Sequence, residues 1–137
     1  MTYWLVKSEP EVWSWDDHVK KGVEPWNGVR NHQAANNLKE MQIGERVFFY
    51  HSGDAREIVG VVEVIRAYYP DPTDATGRFG MVDFRARAPL KTPVTLARIK
   101  AEPRLAHLAL VRQSRLSVMP IDAKSWARIC ALGGIAP

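Results

Sequence analysis

Apolar positions recur along this chain in short blocks that alternate between strand and helix spacing. Tyr3 to Val6 is an aromatic and apolar run closed by Ser8-Glu9-Pro10, which predicts a buried first strand. Ser14 with Asp17 three residues on forms a capping-box pattern, and Gly22 offers a stop, so Trp15 to Lys21 is expected to be helical. Glu24-Pro25-Trp26-Asn27-Gly28 reads as a turn. Asn31 then caps a helix running to Met41, with Ala34, Ala35, Leu38 and Met41 on one face.

Arg46 to His51 and Ile58 to Ile65 are rich in β-branched and aromatic residues and flank Ser52-Gly53-Asp54, the pattern of a hairpin whose strands are buried on both faces. Pro70, Pro72, Asp74 and Gly77 mark an exposed loop. Met81 to Ala88 alternates Val82, Phe84 and Ala86 against Asp83, Arg85 and Arg87, which predicts a strand with one wet side. Thr95 caps a short helix to Lys100, and Pro103 opens another turn. Leu110-Val111 and Leu116 to Met119 are read as strands around a polar Arg112-Gln113-Ser114-Arg115 link. Asp122 caps a last helix that carries Trp126, Ile129, Cys130 and Leu132 on one side and ends at Gly133-Gly134.

These elements add up to one α+β domain over residues 1–137, with about five or six strands in a small β-barrel and helices against it. A hydrophobic content of 46% in 137 residues is enough to bury a core without staples. The net charge of +4 suits an anionic partner but sits equally well with an ordinary solvated surface. With Cys130 as the single cysteine there is no internal disulfide and no paired-thiolate metal site, and a reducing compartment is favoured. No basic region leads a long apolar stretch, so the expectation is a soluble cytoplasmic protein without a membrane partner.

Enzyme motifs are absent: there is no Gly-rich phosphate loop and no Gly-x-Ser-x-Gly elbow. His18, His32, His51 and His107 are far apart in sequence, so neither a metal nor any other cofactor is expected. Polar residues instead gather at the ends of apolar elements: Lys7-Ser8, Trp26 to Asn31, Tyr50-His51-Ser52 and Arg112 to Arg115. Each stretch serves as a cap or turn by itself. Convergence of all four would make a cleft suited to a base removed from its stack, which needs aromatic faces and a few fixed donors and acceptors. In that reading Trp26, in a polar turn, presents its indole. Lys7, Arg30 and Arg112 neutralise phosphate, and Ser8, Asn31, Tyr50, His51 and Ser52 read the base edge.

The stretches Tyr3 to Pro10, Trp26 to Ala34, Val47 to Ser52, Ile58-Val59-Gly60 and Leu110 to Val118 resemble the EVE domain family across nearly the whole chain. The resemblance implies a PUA-like fold, related to the YTH readers of methylated adenine in RNA. It also implies a non-enzymatic reader of modified bases, modified cytosine in DNA ahead of RNA, with restriction or repair proteins as candidate effectors. The pocket it implies comprises Lys7, Ser8, Trp26, Val29, Arg30, Asn31, Tyr50, His51, Ser52, Arg112, Gln113, Ser114, Leu116 and Ser117. His32 stands where many relatives are expected to carry an aromatic Tyr, and an imidazole there would bring a titratable group. The rival readings are an enzyme using His51 beside Ser8 or Ser52 on a modified nucleotide, and a small-molecule or RNA-binding interaction module.

Overall fold

The longer helices begin where a side chain can close their first turn. In the computed structural model, which describes residues 1–137, Ser14 opens α1 (Trp15–Lys21) with a reciprocal capping box to Asp17, and Asn31 accepts from the Ala34 amide to open α2 (His32–Glu40). Thr95 does the same for α3 (Leu96–Lys100). Leu108 precedes the single turn α4 (Ala109–Arg112) without a side-chain cap, and Asp122 opens α5 (Ala123–Gly133). Gly134, at φ 74°, ends α5 in the left-handed region that glycine tolerates.

Six strands, β1 (Tyr3–Ser8), β2 (Val23–Pro25), β3 (Arg46–His51), β4 (Glu57–Pro70), β5 (Gly80–Thr95) and β6 (Val118–Ile121), form one mixed sheet in the order β2-β5-β4-β3-β1-β6. The β1–β3 pair is parallel and the others antiparallel. The α+β class and strand number are as expected, but the ladder is open between β2 and β6 rather than closed into a barrel. The β3–β4 hairpin forms as read, and Arg85 and Arg87 lie on the wet side of β5.

Three local expectations are corrected, one by tertiary pairing and two by local hydrogen bonds. Glu24 and Pro25, read as part of a turn, belong to the short strand Val23–Pro25 because they register against Phe84 and Asp83 of β5. Leu110 and Val111 are helical: the Val111 and Arg112 amides donate to Leu108 O at 3.0 and 3.1 Å, and a two-residue apolar run carries no periodicity to tell the states apart. The last strand starts at Val118, not Leu116, whose amide closes a turn on Gln113 O at 3.1 Å.

The core lies between the sheet and its helices. Trp126 of α5 is sandwiched between Tyr3 and Phe48, with ring centroids 4.5 and 3.8 Å away. On β4, Gly60 leaves room for the Trp15 indole, whose ring atoms lie 2.6 Å from where a Cβ would stand. Trp15 also meets the Phe49 ring edge-on at 5.4 Å, so the start of α1 is pinned to the middle of the sheet.

Candidate nucleic-acid interface

Parallel pairing of β1 with β3 sets Lys7 beside Tyr50 and Ser8 beside His51, and the Lys7 amide donates to Ser117 O at 2.9 Å. The chain then turns through Glu9 to Trp13. Between that turn, the end of β1 and the segment from β2 into α2 opens a cleft of about 560 Å³, within the range of small-ligand sites. Of the residues singled out in sequence, Lys7, Ser8, Trp26, Val29, Arg30 and Ser117 line it. Glu9, Val12, Trp13, Glu24, Pro25, Asn27 and Gly28 complete the wall.

Asn31, Arg112, Gln113, Ser114 and Leu116 line a separate depression of about 310 Å³, together with Gln33 and Arg115. Lys7 joins the two, since its Nζ donates to Ser114 O at 3.0 Å. Burial holds the Lys7 ammonium below its ordinary pKa. Asn31 Oδ1 is taken by the α2 cap, and Arg112 Nε donates to Ala106 O at 3.2 Å. Tyr50, His51 and Ser52 line neither cavity. His32 is exposed at the start of α2, its ring 5.2 Å from that of Phe79.

Trp26 is not the presented indole that its polar turn predicted. It is only 9% exposed, meets Phe49 and Phe84 edge-on at 5.6 and 5.4 Å, and donates its amide to Val82 O at 2.7 Å. Pairing of β2 with β5 draws the following residue onto the core, leaving Trp26 as the cleft's floor. The more accessible indole is Trp13, one residue before the Ser14 cap. The signal for it was present: Trp13 and His18 occupy the two positions that a hydrophobic staple brings together across a helix start. Trp13 Nε1 donates to His18 Nδ1 at 3.1 Å, and His18 Nε2 donates to Phe84 O at 2.9 Å.

Arg30 is held at the rim by Asp71. The loop after β4 is exposed at most positions, but Asp71 is buried against the reading of that segment as surface. Its carboxylate accepts from Gly28 N at 2.8 Å, Arg30 Nη1 at 3.0 Å, Thr73 N at 2.8 Å and Thr73 Oγ1 at 2.6 Å. Burial alone would raise this carboxyl; the hydrogen bonds, led by the Thr73 hydroxyl, outweigh it and hold it at about 2. Arg30 Nη2 also donates to Thr73 Oγ1 at 2.9 Å, and the side chain stays 39% exposed. The rim therefore carries an oriented cation open to solvent.

His51 and Ser8 serve the scaffold. His51 Nε2 accepts the Trp15 amide at 3.0 Å, at the first residue of α1, and burial lowers its pKa. The Ser8 hydroxyl donates to Trp13 O. Neither has the free hydrogen-bonding valence that a base and nucleophile pair would use. No three His, Cys, Asp or Glu side chains gather in a group able to hold a metal ion, and no helix is long and apolar enough to cross a membrane.

The sequence profile of the EVE domain family matches residues 2–132. Thymocyte nuclear protein 1 of Gallus gallus is 31% identical, over 95% of this chain and 68% of that protein. A Rhodopseudomonas palustris protein solved by NMR is 58% identical, with a TM-score of 0.93 over 98% of this chain and 94% of that one. Human THYN1, solved in complex with DNA containing 5-methylcytosine, is 27% identical, with a TM-score of 0.88 over 100% of both chains.

Proposed function

The chain belongs to the EVE domain family, and from that premise we propose that it is a non-enzymatic reader that takes a modified cytosine of DNA into the cleft between β1 and α2. The observation that carries this reading is the likeness over the full chain to the human relative in complex with 5-methylcytosine DNA. The cleft's own chemistry agrees with it. Trp26 closes the floor and Trp13 stands at the side, giving apolar faces for a base out of its stack. Cytosine offers an exocyclic amine donor and ring acceptors, and the cleft is lined by both a carboxylate, Glu9, and an ammonium, Lys7.

Arg30, oriented by Asp71, and Arg112 on the neighbouring depression are placed in this proposal at the flanking phosphates. The enzyme reading through His51 is not favoured, because its Nε2 already accepts the Trp15 amide. Fluorescence anisotropy with matched duplexes carrying cytosine or 5-methylcytosine, at two salt concentrations, tests the proposal. A preference for the methylated duplex that persists at the higher salt supports it, with Arg112→Ala weakening both duplexes alike and reducing the salt slope. Equal affinity for the two duplexes, or none for either, overturns it.

A further inference from the structure

His18 is fully buried, yet it lies directly behind the cleft and touches both of the indoles that line it. Its ring centroid is 6.0 Å from Trp13 and 6.1 Å from Trp26, and it meets Phe49 edge-on at 5.6 Å. The polar contacts fix its proton. A carbonyl cannot donate, so the 2.9 Å contact to Phe84 O requires a proton on Nε2; an indole N–H cannot accept, so the 3.1 Å contact to Trp13 Nε1 requires a lone pair on Nδ1. Both conditions are met only by the neutral ring in its Nε2–H form. The relay runs from the Trp13 indole through His18 to the backbone of β5, a central part of the fold.

Trp13 needs such a tether. It sits on the turn between β1 and α1, is partly open to solvent, and is preceded by the exposed Val12 of the cleft wall. Apart from the ring contacts it is the indole N–H that selects one orientation of the side chain, and a pre-set aromatic face spares a ligand the ordering cost of fixing it. We propose that His18 is a positioning residue for the cleft: by accepting the Trp13 indole N–H while anchored on the Phe84 carbonyl, it sets Trp13 as the second aromatic wall beside Trp26. This rests on the reading of the cleft as a base-binding site.

The tether is testable without any ligand. In the wild-type protein, nitrogen-15 spectra of the histidine rings at neutral pH should show His18 as the Nε2–H tautomer, with the Trp13 indole N–H, identified by its loss in Trp13→Phe, slow to exchange with solvent. The Nδ1–H tautomer, or a freely exchanging Trp13 indole, overturns the proposal. Binding to a 5-methylcytosine duplex supplies the second arm. His18→Gln, whose amide reaches Phe84 O without an acceptor at the Nδ1 position, should weaken binding roughly three- to tenfold, the loss expected for one hydrogen bond. In a Trp13→Phe background, where no indole N–H remains, the same change should have no further effect. An equal loss in both backgrounds would make His18 merely structural and sink the proposal. If the wild-type protein shows no binding preference while the tautomer and exchange results hold, it is the base-reader assignment that fails and not the tether.

Discussion

Replacing Asp71 by Asn keeps the shape of the side chain and removes its charge, at a point where the carboxylate accepts four hydrogen bonds and exposes none of its side-chain surface. A carboxamide can turn only one oxygen toward these donors, and its NH₂ group must then face the Gly28 amide and Arg30 or the Thr73 amide and hydroxyl. Two routes give the cost. A carboxyl held at about 2 against an ordinary 3.8 corresponds to about 2–3 kcal/mol of native-state preference for the charged form. Leaving one or two donors unmatched at a buried site costs about 1–3 kcal/mol each, with Arg30 at the low end because it still reaches water. Asp71→Asn should therefore lose about 2–3 kcal/mol, or roughly 6–12 °C in Tm for a domain of this size.

Urea unfolding followed by tryptophan fluorescence reads that loss as a shift in midpoint at unchanged slope. The acid dependence makes the test sharper. A depressed carboxyl contributes its full stability above its ordinary value near 3.8 and loses it as pH falls toward the folded value of about 2. The gap between wild type and Asp71→Asn should be constant at neutral pH and narrow through that window. A loss below about 0.5 kcal/mol at neutral pH, the size of an ordinary surface change, would refute the claim that Asp71 straps the loop to the cleft rim.

The same reasoning gives three further expectations. Gly60→Ala places a Cβ 2.6 Å from the Trp15 ring, which cannot move without leaving Phe49, so the variant should lose about 1–3 kcal/mol in the same urea assay. Burial lowers the pKa of His18, against the opposing pull of Phe84 O and Glu24 and with the added push of Lys21. It also lowers that of His51, against Glu57, Asp16 and Glu11. Unfolding thus takes up protons below the ordinary histidine value near 6.5, and stability should be flat above that pH and fall below it, by at most about 1.4 kcal/mol per pH unit for each ring. Loss of that slope in the His18→Gln variant, relative to wild type, checks the His18 share. Burial pushes the Cys130 thiol up to about 11, so it should react with a thiol reagent at neutral pH only as fast as the domain opens, and far faster in denaturant.

What could be read from the sequence was local. Ser14 with Asp17, Asn31, Thr95 and Asp122 cap the helices they were expected to cap, because a cap is satisfied by an amide two or three residues away. The β3–β4 hairpin and the inward face of α5 follow from short-range pattern in the same way. Two of the misreadings depend on partners distant in sequence, whereas those at Leu110-Val111 and Leu116 come from apolar runs too short to distinguish strand from turn. Val23–Pro25 becomes a strand only because β5 lies alongside it, and Trp26 is hidden by Phe49 and Phe84, which no local pattern reveals. At the site, the ends of β1 and the segment before α2 meet as expected. The stretch from Arg112 to Leu116 lines its own depression, and the end of β3 faces the scaffold, since His51 caps the start of α1. Asp71 could not be read locally because its partners Gly28 and Arg30 are more than forty residues away, whereas Trp13 and His18 stand at staple spacing around the Ser14 cap and only their place at the cleft needed the fold.

The unclosed ladder leaves two strand borders, and each is blunted. β2 is three residues long and ends in Pro25, which has no amide to offer an incoming strand; β6 carries Pro120, and its Val118 carbonyl already accepts from Asn37 Nδ2 of α2 at 2.7 Å. A sheet with open sides normally invites edge-on recruitment of another chain and, with it, fibrous growth. Here both borders are poor templates, so the domain can stay at six strands without closing on itself, and concentrated solutions should resist amyloid-type association for a reason built into two prolines and one asparagine.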